Sequence, residues 1–293
     1  MIEMPPRLLA LINERAKQAA AAALRWVRPV YGVITNHAER VEHYGTCILL
    51  QVSGRRLLVT AAHIHAHLRE RSLFVGGGPR LVRMLPEGAW KTTRPPNSPK
   101  ECDDPHDFAW WELPDSVATE FVANAAEFLD SSQVARERIN TDGRVYTAIG
   151  YPLSRNKKKK AVDHKKRIII NKRYIYNAEA LRPPSKHGLQ ADRHLCLKYG
   201  KFSGDEMGNR VSYLSPVGLS GGAVLDLGDF SSPAAFSPHG NHQAKLAGVL
   251  TFWLQQENVI VATRIGPILR VIRRKLQGND MALWQSEDLK APP

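Results

Sequence analysis

Three residues whose types together support acyl transfer stand far apart in this chain. Ser220 lies in "GLSGG", boxed by Gly218, Gly221 and Gly222; His63 closes "LLVTAAH"; Asp107 sits in "HDFAWWEL". A serine hydroxyl attacks a carbonyl efficiently when a base takes its proton, a carboxylate orients that base and N–H donors receive the developing oxyanion. A glycine two before the serine and another after it suit a sharp turn that exposes the hydroxyl beside backbone N–H groups. Taken alone, the same pattern also describes an ordinary turn between strands. The other two residues bear on the choice. His63 follows a β-type run and Asp107 precedes one, and the chain order is His, Asp, Ser, with intervals of 44 and 113 residues.

That order is the one used by chymotrypsin-type enzymes and differs from those of subtilisin and the α/β-hydrolases. With "TAAH" at residues 60–63, "HDFAWWEL" at 106–113, "GLSGG" at 218–222, "LAGVLTFW" at 246–253 and "VIVATRI" at 259–265, the chain resembles the trypsin-like serine peptidases of the chymotrypsin fold, in the disulfide-free form of bacterial intracellular members. The resemblance spans about residues 31–270. It implies an all-β fold of two antiparallel six-stranded barrels with the site between them, and a serine endopeptidase working through an acyl-enzyme on a protein or peptide, without a cofactor. Ser220 would be the nucleophile, His63 the general base and then acid, and Asp107 the carboxylate that fixes the histidine tautomer. The N–H groups of Gly218 and Ser220 would form the oxyanion hole.

Two departures from the family matter. Secreted digestive members carry an aspartate before the nucleophile, paired with a new N-terminus after zymogen cleavage; here that position is Leu219, so the oxyanion hole must be preformed or arranged by a partner. The resemblance also places Leu214 at the base of the specificity pocket, Thr251 and Trp253 along one wall strand and Ile260 on the opposite wall. Bulky apolar groups there imply a shallow pocket for Ala, Ser, Val or similar before the scissile bond. The alternative is a catalytically weak or gated module of the same fold that holds a protein or polyanionic partner.

The elements that must position these residues are mostly strands. "GTCILLQV" and "RRLLVTAA" flank "SG", the signature of a tight hairpin. Further β-type runs follow between turn clusters, from "SLFVGG" to "RVYTAIGY" and then from "RIIINKRYIYNAEAL" to "VIVATRI", and the shortage of helical periods argues for sandwiches or barrels. The expected divisions are an amphipathic helix within 1–30, one barrel over 31–150 with His63 and Asp107, and a second over 151–276 with Ser220 and a C-terminal helix. A frayed tail occupies 277–293. In the first helix Leu8, Leu11, Ile12, Ala16, Ala19 and Ala23 share one face, which must pack on something: first the protein's own body, with a membrane surface or a second protein as the lesser options.

With 293 residues, 43% of them hydrophobic, the chain can bury a large core. Its longest apolar run near the start is far too short for a membrane span, and charges interrupt it where a signal peptide would be continuous. Cys47, Cys102 and Cys196 show no paired spacing, so no disulfide framework or zinc site is expected, and a reducing cytoplasm is the simplest location. His63, His65 and His67 in "HIHAH" lack an accompanying Glu or Cys, and no metal is expected there. His106, His239 and His242 read as loop histidines, and of the adjacent Trp110 and Trp111 one should face the core while the other packs under the first helix or stays partly exposed. The formal charge is +13, and residues 155–173 supply ten Lys or Arg against Asp163. Such a run reads first as a solvated loop; Lys157, Lys158, Lys159, Lys160, Lys165 and Lys166 are the candidate contacts if a polyanion such as nucleic acid binds.

Overall fold

The computed structural model describes residues 5–33, 41–68, 72–76, 81–84, 90–93, 106–154, 156, 162–163, 168–169, 173–184, 187–200, 202–204, 210–212, 214–231 and 243–278. Helix α1 (Pro6–Ala23) begins the described chain, with proline at its first position, where a missing N–H costs nothing. Strands β1 (Val27–Val33), β2 (Val41–Val52) and β3 (Arg55–Ala61) follow, then the short helix α2 (Ala62–Leu68) and strands β4 (Ser72–Gly76), β5 (Leu81–Met84), β6 (Trp90–Thr92) and β7 (Phe108–Glu112). Helix α3 (Asp115–Ala123) and strand β8 (Leu129–Asp130) complete the first half. The first strand therefore starts at Val27, within the segment that the sequence assigns to the helix.

These strands form one eight-stranded sheet in the order β5-β4-β1-β2-β3-β7-β6, with β8 added in parallel alongside β2. The strand count exceeds the six expected because the β4–β5 hairpin and β8 contribute. Strands β9 (Arg144–Gly150), β12 (Tyr174–Leu181), β13 (His194–Lys198), β16 (Ala223–Asp229), β17 (Lys245–Leu254) and β18 (Val259–Arg264) close into a six-stranded antiparallel barrel. The pairs β10 (Val162–Asp163) with β11 (Ile168–Ile169), and β14 (Phe202–Gly204) with β15 (Arg210–Ser212), make two small sheets, and helix α4 (Ile265–Leu276) follows the last barrel strand. The all-β architecture with a helix at each end agrees with the fold class implied by the sequence.

One hydrophobic core runs through both halves, including Leu50 and Leu57 from the first sheet and Phe121 from α3 with Ile149, Val249 and Ile268 from the barrel and α4. Burying each such side chain stabilises the fold by about 1.5–3 kcal/mol. Both terminal helices lay their apolar faces on this core. In α1, Ile12, Ala16, Ala19, Ala20 and Ala23 are buried where the helix meets β9, β12 and β16, and Arg15 lies over the Phe230 ring at 4.9 Å. The apolar face of α1 is thus covered by the protein itself. None of the described helices is long and apolar enough to cross a membrane.

Candidate active site

The hairpin β2–β3 turns at Ser53 and Gly54, with φ of 49° and 78°, the pair of positive angles that matches the twist of antiparallel strands. Strand β3 then pairs with β7, Ala61 opposite Phe108. That register sets His63, two residues past the end of β3, beside Asp107, one residue before β7. The Ala62 N–H donates to the Asp107 carbonyl at 3.0 Å, the His63 N–H to Asp107 Oδ1 at 2.9 Å, and His63 Nδ1 lies 2.6 Å from Asp107 Oδ2. An ionised carboxylate only accepts, so Nδ1 is the donor to Asp107, and in the neutral ring Nε2 is the nitrogen with the basic lone pair.

Asp107 pays for this position in its backbone. Its φ is +40°, in the left-handed region that costs a non-glycine residue about 1–3 kcal/mol. The neighbours hold it there. The Phe108 N–H donates to Thr93 Oγ1 at 3.1 Å, and Thr263 Oγ1 donates to the His106 carbonyl at 2.5 Å. His106 lies in the bend before β7, as a loop histidine would, but it is buried and its ring stacks on that of His194 at 5.9 Å. His194 Nδ1 lies 2.9 Å from the Gln190 nitrogen and 3.2 Å from the Gln190 carbonyl oxygen.

The serine turn is fixed carbonyl by carbonyl. The Val217 carbonyl accepts from the Leu153 N–H, the Gly218 carbonyl from Thr46 Oγ1, the Leu219 carbonyl from the Gly222 N–H and the Ser220 carbonyl from the Thr46 N–H, at 2.8, 3.0, 2.8 and 2.8 Å. The N–H groups of Leu219 and Gly221 donate to Pro216 and Leu250. The Gly218 and Ser220 N–H groups make no such bond among the described residues. Glycine is required twice: Gly218 has φ +93°, and Gly221 has φ +81° with space for no Cβ, which would lie 1.9 Å from the Thr46 carbonyl oxygen. Thr60, on the same strand that leads to His63, donates to that carbonyl at 2.7 Å. The Ser220 turn and the His63–Asp107 pair are therefore tied to each other through Thr46 and Thr60.

His43 packs beneath the turn. A Cβ on Gly218 would lie 3.1 Å from its Cε1, and its ring meets Tyr31 edge-on at 5.4 Å. Burial lowers its pKa to about 4, with the Gly45 backbone opposing in part, so the ring is neutral at pH 7.

Among the residues assigned to the specificity pocket, Leu214 and Trp253 pack against the barrel cluster that contains Ile260, and Trp253 faces Ile260 across β17 and β18. Tyr199 fills the space between them: it is almost fully buried, its hydroxyl donates to the Leu214 carbonyl at 2.5 Å, and its ring lies edge-on to Trp253 at 6.4 Å. Thr251 is fully buried with its hydroxyl committed to the Val261 carbonyl at 3.1 Å, so it is a strand-to-strand tie and not a surface open to a substrate.

Lys157, Lys158, Lys159, Lys160, Lys165 and Lys166 lie outside the described residues, as do Cys102, His239 and His242. Cys47 and Cys196 are buried free thiols, pushed up in pKa by that burial, Cys196 to about 12. Among the described residues no cluster of His, Cys, Asp or Glu has metal-ligating geometry. His65 instead stacks on Trp90 at 4.9 Å, and Trp90 lies tilted against Trp111 at 5.9 Å; Trp110 and Trp111 are both buried, because β7 is covered on both faces.

No known protein-family model and no curated protein sequence matches the chain. Among solved structures it is similar to one described as a Glu endopeptidase in complex with MPD, with 12% identity, 87% of this chain and 91% of that chain covered, and a TM-score of 0.45.

Proposed function

We propose that the protein is a serine endopeptidase with Ser220 as nucleophile. The observation that carries this reading is the His63–Asp107 pair, with Nδ1 turned to the carboxylate at 2.6 Å and Nε2 left to accept a proton. In the first step Ser220 Oγ bonds to the substrate carbonyl carbon as its proton passes to Nε2. The oxyanion that forms accepts from the Gly218 and Ser220 N–H groups, whose carbonyl partners are all engaged on the far side of the turn. Collapse breaks the C–N bond, and the imidazolium returns its proton to the leaving amine. Water then attacks the acyl-enzyme with His63 again as base, releasing the acid and restoring the Ser220 hydroxyl.

Asp107 stabilises the imidazolium without taking its proton. Leu214, Trp253 and Ile260, backed by Tyr199, favour a small apolar side chain before the scissile bond, since a large one would overlap them. The test is cleavage of a proteome-derived peptide library by the purified chain, with Ser220→Ala as control. Cuts after Ala, Ser or Val that vanish in the variant support the reading; cuts after Arg or Lys refute the pocket, and identical profiles for both chains refute the peptidase.

A further inference from the structure

Thr46 grips the serine turn on both flanks of the candidate nucleophile. Its N–H donates to the Ser220 carbonyl and its Oγ1 to the Gly218 carbonyl, at 2.8 and 3.0 Å. The hydroxyl accepts from the Tyr151 N–H at 3.0 Å, and the Thr46 carbonyl accepts from Thr60 Oγ1 at 2.7 Å. The residue is fully buried and each of its polar atoms is occupied.

The geometry of the peptide unit turns this grip into aim. In a trans peptide the C=O and N–H point in opposite directions, so a carbonyl held on one side directs its N–H to the other. The units that carry the Gly218 and Ser220 N–H groups are held by backbone donors, Leu153 and Gly222. The unit between them, Gly218–Leu219, has its N–H held by the Pro216 carbonyl at 2.9 Å and its carbonyl held by a side chain, the Thr46 hydroxyl. Gly218 imposes little torsional resistance of its own, and Leu219 is a buried apolar residue that offers no ion pair to fix the turn. Rotation of this central unit would misdirect both flanking N–H groups at once.

We propose that the Thr46 hydroxyl is the positioning residue of the oxyanion hole, holding the Gly218–Leu219 peptide so that the hole is formed before any substrate or partner arrives. The proposal rests on Ser220 being the nucleophile. A threonine hydroxyl does not titrate between pH 5 and 9, and the clamp requires no processed terminus, so the isolated chain is competent as folded.

The test is the second-order rate at which a fluorophosphonate labels Ser220 in the full chain, alongside kcat and KM for a cleaved peptide. Thr46→Val keeps the shape and the backbone N–H but removes the hydroxyl; Thr46→Ser keeps the hydroxyl; Ile268→Val trims the core in α4, away from the turn. Labelling should slow roughly ten- to a hundredfold in Thr46→Val, the loss expected when oxyanion donors are misaligned, with kcat falling and KM held. Thr46→Ser should restore the rate to within about threefold of wild type, and Ile268→Val should leave it unchanged. Wild-type labelling with no loss in Thr46→Val, or with equal loss in Thr46→Ser, overturns this proposal alone. A wild-type chain that is not labelled overturns the nucleophile reading and this proposal with it. Should Thr46→Val not fold, Thr46→Cys, a weak donor of similar size, takes its place, with the same slow rate expected and the wild-type rate overturning the clamp.

Discussion

Replacing Gly221 by alanine tests whether the serine turn is held by steric fit as well as by hydrogen bonds. A Cβ there would lie 1.9 Å from the Thr46 carbonyl oxygen and 2.2 Å from Thr60 Oγ1, against the 3.0 Å that real Cβ contacts essentially never breach. The turn, or strand β2, must therefore move by about 1 Å, and the atom in the way is backbone, which cannot swing aside. Left-handed backbone at φ +81° costs alanine about 1–2 kcal/mol, and overpacking at a tight site adds about 1–3 kcal/mol. Loss of the Thr60–Thr46 hydrogen bond adds about 1 kcal/mol. Gly54 is the internal control: its φ is +78°, yet nothing lies within 4 Å of where its Cβ would be, so Gly54→Ala bears the backbone strain alone. Urea denaturation should place Gly221→Ala about 2–4 kcal/mol below Gly54→Ala. Equal midpoints for the two variants would refute the packing argument.

Two further perturbations probe buried charge. Arg144 Nη2 lies 2.7 Å from Asp226 Oδ2 with both side chains largely shielded from solvent, so Asp226→Asn should cost about 3 kcal/mol in chemical denaturation, while the paired change Arg144→Met with Asp226→Leu should cost less than either single change. A single variant at wild-type stability would show the pair to be solvated. His43 has its folded pKa lowered to about 4 by burial, below the ordinary 6.5, so between those values the unfolded chain binds a proton that the folded chain does not. Its contribution is complete above pH 6.5 and is lost progressively down to pH 4, amounting to about 3 kcal/mol. Denaturation across pH 4–7 should show this slope in wild type and its loss in His43→Phe; parallel profiles would place His43 in contact with water.

Much of the fold is legible because its signals are local. Ser53-Gly54 marks the hairpin, short apolar β-type runs mark β9 and β16, and the apolar stripe Ile268, Val271, Ile272 and Leu276 marks helix α4. Helix α3 has only nine residues, about two and a half turns of periodicity, and β8 only two residues, which give none, so neither leaves a clear local signal. His63, Asp107 and Ser220 stand out through flanking motifs, whereas the residues that hold them do not. Thr46 meets the Gly218 carbonyl across 172 residues of sequence, Thr60 matters through the register of β2 and β3, and His106 is buried only because β13 brings His194 beside it. Tyr199 likewise reaches the Leu214 carbonyl from just past the end of β13, a strand whose own pattern points to the barrel core. Such contacts arise from register and packing, which neighbouring sequence does not record.

A serine activated by His63 and Asp107 reacts with a fluorophosphonate, and an unactivated one does so far more slowly. The most direct measurement is mass-spectrometric mapping of the fluorophosphonate adduct on the purified chain and on Ser220→Ala, His63→Ala and Asp107→Asn. The account predicts one adduct, on Ser220, absent from the first two variants and formed far more slowly in the third, by about 10,000-fold if the carboxylate fixes the tautomer as it does in other triads. An adduct on another residue, or labelling of Ser220 that survives His63→Ala at the wild-type rate, would contradict it.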